Sequence, residues 1–157
     1  MSSTPASIHI HQATVGEAQI VVELVQHLLV ELGGFPAGDR AELIALCEQL
    51  LAGGQYRAFL ASNDAGKSLG VLTVCECSAL YVAGRLGWIQ ELYVVPKARS
   101  LGVGQHLIAA ALAYGRERGL KRLEVNTPDV EQWPRTVAFY RREGFLGGAY
   151  HLRILPG

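Results

Sequence analysis

The chain has little of several features that mark common protein classes. Its 14 Lys and Arg residues balance 14 Asp and Glu residues, so the basic excess of a general nucleic-acid binder is missing. Only 18% of its 157 residues are charged, yet no apolar run approaches the roughly 20 residues that span a bilayer. We therefore expect a core-forming, soluble, cytoplasmic protein that binds neither nucleic acid nor a membrane.

Cysteine is also scarce. Cys47, Cys75 and Cys77 are too few and wrongly spaced for a disulfide framework or a zinc knuckle, which favours reduced thiols. His9 and His11 lie on one face of a predicted strand, but the nearby sequence offers no third ligand. We expect no metal site.

The length of 157 residues predicts a single domain over 1–157, and we expect residues 1–6 to be flexible. Alternation and short apolar runs predict strands over 7–12, 56–61, 69–77, 86–95, 120–125 and 150–155. Helical spacing predicts helices between Thr14 and Gly33, between Asp39 and Gly53, over 103–118 and over 133–143. The order β-α-α-β-β-β-α-β-α-β predicts an α+β fold, a mixed and mainly antiparallel sheet flanked by helices.

The most informative stretch is a strand that ends near Pro96, followed by a turn with Gly102 and Gly104 and then a helix. The glycines let a ligand approach the backbone, and the helix start offers free N–H groups, so a phosphate group is the natural ligand. A plain strand-to-helix turn also fits this pair. A P-loop is disfavoured because no Lys-Ser or Lys-Thr follows, and a dinucleotide fingerprint because Leu107 replaces its third glycine.

Two motifs carry a family resemblance. The turn reads R-x-x-G-x-G from Arg99 to Gly104, and a later helix reads V-A-F-Y-R-R-E-G-F over 137–145. In this order they resemble the GCN5-related N-acetyltransferase (GNAT) family, by motif over about residues 88–145 and by element order over nearly the whole chain. The resemblance implies a single-domain GNAT-like fold and direct transfer of an acetyl group from acetyl-CoA to a primary amine in a ternary complex.

The resemblance also implies a cosubstrate site along the strand end and the turn. Its members are Leu92, Tyr93, Val94, Arg99, Ser100, Leu101, Gly102, Val103, Gly104 and Gln105. The strand offers its main chain to the pantetheine arm, the N–H of Val94 polarises the thioester carbonyl, and the amides over 100–105 meet the pyrophosphate. Many family members have an asparagine where this chain has Trp133, and Asn126 is the candidate replacement.

Two side chains are the candidates for proton transfer. Tyr140 stands at the family's general-acid position, where a phenol can protonate the departing thiolate; a core tyrosine is the alternative. Glu91 is the candidate base, directly or through water, because burial raises the pKa of a carboxylate. An ordinary strand carboxylate is the alternative there, and Glu124 on the next strand is the reserve base.

Charge is unevenly divided along the chain. Up to Pro96 there are 4 basic and 9 acidic residues, and after it 10 basic and 5 acidic ones. The basic half holds the motif for the polyanionic cosubstrate, and the acidic half favours a small cationic amine or an amino-acid-like compound as acceptor. The alternatives are an acyl-CoA-binding sensor or subunit without activity, a protein or peptide N-acetyltransferase, and a nucleotide-binding regulatory domain. Low charge and an apolar C-terminal strand are compatible with a homodimer.

Overall fold

One mixed sheet organises the computed structural model, which describes residues 6–34, 38–148 and 152–156. The strands in these ranges are β1 (His9–Gln12), β2 (Tyr56–Ser62), β3 (Ser68–Ala79), β4 (Gly84–Val94) and β5 (Leu123–Val125). They lie in sequence order, with β1 to β4 antiparallel to their neighbours and β5 parallel to β4. The predicted meander and the α+β class are confirmed.

The described residues also form four α-helices. These are α1 (Ala18–Glu31), α2 (Arg40–Ala52), α3 (Val103–Arg118) and α4 (Pro134–Arg142). Both predicted caps form, since the N–H of Glu42 donates to Asp39 Oδ1 at 2.8 Å and the N–H of Thr14 donates to Glu17 Oε1 at 3.0 Å. None of the described helices combines the length and the apolar character that a bilayer crossing requires.

Each face of the sheet packs on its own pair of helices. On the face that we call the α3 face, side chains of the sheet pack against α3 and α4; this layer includes Leu72, Val74 and Ile89 of the sheet, Leu107 of α3 and Tyr140 of α4. On the opposite face, called the α1 face, the sheet packs against α1 and α2; this layer includes Leu60, Val71, Tyr93, Val21 and Cys47. Alternation along each strand therefore determines which helices a side chain meets.

The start of α3 lies unusually close to the sheet. A Cβ atom on Gly70 of β3 would stand 2.7 Å from the main-chain oxygen of Tyr93 and 3.3 Å from side-chain atoms of Val103 and Leu107. Only glycine leaves this space, so the first turn of α3 rests directly on β3 and β4. The loop between β4 and α3 is thereby held against the end of β4.

The sixth predicted strand, over 150–155, is wrong in its described part. Tyr150 and His151 lie outside the described residues, as do residues 1–5 of the predicted flexible start, but residues 152–156 form no strand and Ile154 is 90% exposed. The apolar pattern is present, but a strand also needs a neighbour that pairs with its main chain, and this described segment has none. Strand β5 is likewise shorter than the predicted 120–125.

Glu76 of β3 ties the far end of α3 to the sheet. Its carboxylate is almost fully buried and accepts hydrogen bonds from Tyr114 OH at 2.5 Å, Arg118 Nε at 2.8 Å and Arg85 Nη1 at 3.2 Å. These partners, the Arg118 hydrogen bond foremost, lower the pKa of Glu76 from 4.5 to about 2. Glu76 is therefore a structural anion that stays ionised in the folded protein.

We predict that Glu76→Gln lowers the free energy of unfolding by about 3 kcal/mol at neutral pH, because it leaves the arginines without their buried charge partner. The pKa is depressed in the folded state, so the stabilisation is complete above pH 4.5 and is lost as the pH falls to about 2. Urea unfolding across this range should show the deficit of the variant shrinking toward zero.

The control for this prediction is Glu117→Gln, which removes an exposed carboxylate from α3. It should change the free energy of unfolding by less than about 0.5 kcal/mol. A Glu76→Gln deficit that stays constant down to the lowest pH would contradict the role given to the ion pairs.

Candidate active site

An opening separates β4 from β5. The two strands pair only from Gly87 to Ile89, whereas β4 continues to Val94 with no described partner on that side. A β-bulge lies at the point where the strands part, because Thr73 pairs with Glu91 and Val74 with Ile89, which leaves Gln90 as the extra residue. Main-chain groups at the end of β4 are thereby available to a ligand.

The bulge also changes which way the following side chains face. Leu92 and Val94 pack with Ile89 on the α3 face, and Tyr93 lies on the α1 face. Strict alternation from Ile89 would have placed Glu91 on the α3 face, but the extra residue moves it to the α1 face. Because Gln90 is inserted, the Glu91 carboxylate lies on the side of the sheet that α1 and α2 cover.

Glu91 is held there by two hydroxyl groups. Its Oε2 accepts hydrogen bonds from Tyr56 OH, at 3.2 Å, and from Thr73 Oγ1. The Glu91 N–H in turn donates to Thr73 Oγ1 at 3.1 Å. Burial raises the pKa of Glu91, and the hydrogen bonds from Thr73 and Tyr56 oppose part of that rise. This carboxylate takes up a proton more readily than an exposed one.

Tyr56 and Thr73 are site residues that the sequence pattern does not reveal. Thr73 is the lone hydroxyl in a long apolar run of β3, and Tyr56 begins β2 next to an exposed turn. Only the pairing of β2 with β3 and of β3 with β4 brings both beside Glu91. Thr73, a polar residue within an apolar run, is the one feature of the sequence that could have indicated a site residue here.

The main chain at Val94 faces the opening. The N–H of Val95 donates to Leu69 O on β3 at 2.9 Å, so the N–H and C=O groups of Val94, one residue earlier, face the opposite side. Its carbonyl accepts a hydrogen bond from Arg99 Nε at 3.0 Å, while no described group accepts its N–H across the opening. A donor with no described acceptor therefore faces the opening near the end of β4.

Gly102 begins α3 in the left-handed conformation, with φ at +80°. The N–H groups of Val103, Gly104 and Gln105 have no acceptor among the described residues; the N–H of His106 is the first to bond back, to Gly102 O at 3.1 Å. The first turn contains no acidic residue, so the positive end of the helix is uncompensated. This arrangement can bind a phosphate group.

Gly104 has a packing role in addition. A Cβ atom at this position would stand 3.0 Å from Cζ of Phe139 on α4. The missing side chain therefore lets α4 approach the first turn of α3. The second glycine of the motif thus brings the helix that carries Tyr140 up to the anion-binding turn.

The Arg99 side chain connects β4 to α1. Besides the carbonyl of Val94, it pairs through Nη2 with Glu31 at 2.5 Å, and its guanidinium carbon lies 5.7 Å from the ring centre of Tyr93. Sequence places Arg99 with the glycines of the turn, but its guanidinium contacts other elements. In this structure Arg99 orders the end of β4.

Tyr140 lies on the α3 face, opposite to Glu91. Its ring packs edge-on against Phe139 and Phe145, each with centroids 5.4 Å away, and burial raises its pKa to about 12. The hydroxyl has no hydrogen-bond partner among the described residues. Tyr140 is thus a neutral phenol whose hydroxyl bonds to no described group.

The other predicted site residues lie around the same opening. Ser100, Leu101 and Gln105 are exposed on the turn, whereas the side chain of Val103 is fully buried and only its main chain can meet a ligand. Asn126 is exposed directly after β5. Glu124 on β5 pairs with Arg122 Nε at 3.0 Å, which distinguishes it from Glu91.

The histidines and cysteines of the described residues form no metal site. His9 pairs with Asp64 at 2.7 Å and His11 with Glu17 at 2.8 Å. Within the described ranges, no group of three or more His, Cys, Asp or Glu side chains is arranged to hold a metal ion. The three cysteines are free thiols, and Cys47 is buried on α2.

Comparison with known proteins bears on the whole arrangement. An IAA acetyltransferase of Azospirillum brasilense is 31% identical over 125 residues, covering 80% of this chain and 76% of that protein. A predicted acetyltransferase of Clostridium acetobutylicum, solved with acetyl-CoA, has a TM-score of 0.79 at 16% identity, over 95% of this chain and 96% of its own. An aminoglycoside N-acetyltransferase in complex with CoA has a TM-score of 0.80 at 17% identity, over 99% and 98%.

The two structures share the fold of this protein. The family model for the acetyltransferase (GNAT) family matches residues 23–145, a range that includes α2, β2 to β5, α3 and α4. This match and the identity to the Azospirillum enzyme confirm the resemblance that the two motifs indicate. The chain therefore belongs to the acetyltransferase (GNAT) family.

Proposed function

We propose that the protein is an acetyl-CoA-dependent N-acetyltransferase that transfers the acetyl group directly to a primary amine in a ternary complex. The observation that carries this proposal is the opening between β4 and β5, which has an anion-binding turn at its end, Tyr140 on one face and Glu91 on the other. Two proteins of the same fold were solved with acetyl-CoA and with CoA.

The cosubstrate contacts follow from the free main-chain groups. The pyrophosphate binds the N–H groups from Ser100 to Gln105, and the pantetheine arm lies along Leu92 to Val94. The N–H of Val94 donates to the thioester oxygen and stabilises the charge that develops there. Asn126, exposed at the end of β5, is the side chain that can reach the arm from the opposite strand.

The reaction uses both faces of the sheet. The ammonium group gives one proton to Glu91 on the α1 face, and the resulting amine nitrogen attacks the thioester carbon. As the tetrahedral intermediate collapses, the C–S bond breaks and Tyr140 gives its proton to sulfur on the α3 face. The second proton lost by nitrogen returns through water to Tyr140, so an amide, free CoA and one released proton result.

The raised pKa of Tyr140 is consistent with an acid that stays protonated. A phenol with a pKa of about 12 is neutral across the physiological range. The same burial that disfavours a phenolate also disfavours a thiolate, so the proton moves to sulfur while charge develops on it. The phenol and the leaving group are thus matched by their common environment.

We predict that Tyr140→Phe lowers turnover by roughly 100-fold, which is the lower end of what general acid catalysis contributes. The fold and the affinity for acetyl-CoA should stay nearly unchanged, because the ring packing is retained. Steady-state kinetics by thiol release and calorimetric titration with acetyl-CoA measure the two effects. The control is Tyr81→Phe, which removes an exposed phenol; equal turnover in wild type and Tyr140→Phe would remove Tyr140 from the mechanism.

A matched pair of glycines tests the anion-binding turn. Gly102 and Gly119 flank α3, and both are left-handed, with φ at +80° and +68°. Either Gly→Ala change costs about 1 kcal/mol of backbone strain. We predict that only Gly102→Ala weakens acetyl-CoA binding, by about tenfold, because relaxing its φ turns the free N–H groups away. Equal dissociation constants for the two variants in calorimetric titration would contradict the assignment.

The acceptor is proposed to be a small cationic amine or an amino-acid-like compound. The acidic half of the chain builds the α1 face, and Glu91 stands on that face without a cationic partner among the described residues. In a panel of cationic, neutral and acidic amines, thiol release should be fastest with cationic ones. Faster reaction with acidic amines would contradict the charge argument. Acetyl-CoA binding without thiol release across the panel would favour the sensor alternative.

A homodimer and a cytoplasmic location stay predictions of the sequence. Protein or peptide N-termini use the same transfer chemistry, so peptides with a free N-terminus belong in the panel as a separate class.

A further inference from the structure

Both hydrogen bonds to the Glu91 side chain end on the same oxygen. Tyr56 OH and Thr73 Oγ1 donate to Oε2, and no described group bonds to Oε1. The two donors come from different strands, β2 and β3, so they approach the carboxylate from two directions. The carboxylate is therefore fixed in orientation, with Oε2 hydrogen-bonded twice and Oε1 bonded to no described group.

The main chain of Glu91 determines the direction of the Thr73 hydroxyl. Directly after the extra residue Gln90, the Glu91 N–H donates to Thr73 Oγ1 at 3.1 Å. That bond occupies a lone pair of the hydroxyl oxygen and leaves its hydrogen for Oε2. Thr73 is fully buried, so water does not compete for it. Thr73 thus accepts a hydrogen bond from the Glu91 main chain and donates one that orients the Glu91 carboxylate.

We propose that Tyr56 and Thr73 are positioning residues for acetyl transfer: they hold Oε2 of Glu91 and leave Oε1 free to accept the proton of the incoming amine. This inference rests on the proposed function, in which Glu91 is the base. Tyr56 and Thr73 act through Glu91 and not on the substrate. Their hydrogen bonds also favour the ionised form of the carboxylate and oppose the rise in its pKa that burial causes.

The side chains around Glu91 show that the hydroxyls of Tyr56 and Thr73 are its main source of charge stabilisation. The titratable or charged side chains around this cluster are Cys47 and Glu48 of α2, Cys75 of β3, Tyr93 of β4 and, against the Tyr93 ring, His27 of α1 and Arg99. No described arginine or lysine bonds to the Glu91 carboxylate. The stabilisation of its charge therefore depends on Tyr56 and Thr73.

The chain offers a matched control on the neighbouring strand. Tyr81 OH lies 3.3 Å from both oxygens of Glu124, which Arg122 already pairs. Tyr56→Phe and Tyr81→Phe each remove one phenol donor from a strand carboxylate. Only Tyr56→Phe should affect Glu91. Tyr81→Phe would affect the catalytic base only if Glu124 were that base.

The test follows the Glu91 carboxyl by carbon-13 NMR in protein labelled at glutamate, with Glu91→Gln to assign its signal. We expect Tyr56→Phe and Thr73→Val each to raise the pKa of Glu91 by about 1, because each loses a hydrogen bond to the charged form. Thr73→Ser, which keeps the hydroxyl, and Tyr81→Phe should leave it unchanged. An unmoved Glu91 pKa in both Tyr56→Phe and Thr73→Val overturns the inference.

A second readout separates this inference from the proposed function. With the fastest amine of the panel, the acidic limb of the pH profile of kcat/KM should move to higher pH by the same amount in Tyr56→Phe and stay in place in Tyr81→Phe. Wild-type turnover in Glu91→Gln overturns the inference together with the role of Glu91, while acetylation itself stands. Absence of any acetylation overturns the proposed function, and the NMR titration still reports whether the two hydroxyls hold Glu91.

Discussion

The parallel pairing between β4 and β5 ends at Ile89, and the functional site is arranged around the opening that follows. Because β4 continues alone, the N–H of Val94 finds no strand partner among the described residues. The same strand runs directly into the turn that starts α3, so the free donors of the helix stand at the end of the opening. The candidate ligand site thus combines the unpaired end of β4 with the start of α3.

The bulge at Gln90 determines on which face of the sheet the Glu91 carboxylate lies. Without the extra residue, Glu91 would face α3, and the two candidate proton carriers would share one side of the sheet. With it, Glu91 lies on the α1 face and Tyr140 on the α3 face, so the two candidate proton carriers lie on opposite sides of the sheet. The strand keeps Leu92 and Val94 in the core, and packing is not sacrificed to place the carboxylate.

Two carboxylates of the sheet, the buried Glu76 and the half-buried Glu91, differ in pKa because their neighbours differ. Glu76 on β3 is surrounded by Arg118, Arg85 and Tyr114, and its pKa falls to about 2. Among the described residues, Glu91 on β4 accepts hydrogen bonds only from the neutral hydroxyls of Tyr56 and Thr73, and desolvation raises its pKa. The first is a permanent anion that holds α3 to the sheet, and the second can exchange a proton.

Local patterns predicted most of the fold because helix spacing, caps and alternation are properties of neighbouring residues. Helix α3 was predicted with the bounds that the structure shows, and both capping carboxylates bond as expected. The strand predicted over 150–155 was wrong in its described part, 152–155, since an apolar segment becomes a strand only where another strand pairs with it. Pairing is a property of two segments, and a pattern within one segment cannot report it.

The candidate site likewise combines features that lie within one segment of the sequence with contacts between distant segments. The sequence by itself determined the family, the glycines of the turn and the positions of Tyr140 and Glu91, because each belongs to a contiguous motif or strand. Only the tertiary structure decided that Gly104 makes room for Phe139, that Arg99 contacts Glu31, and that Tyr56 and Thr73 hold Glu91. These contacts join residues from 18 to 68 positions apart, and strand register and helix packing alone bring such residues together.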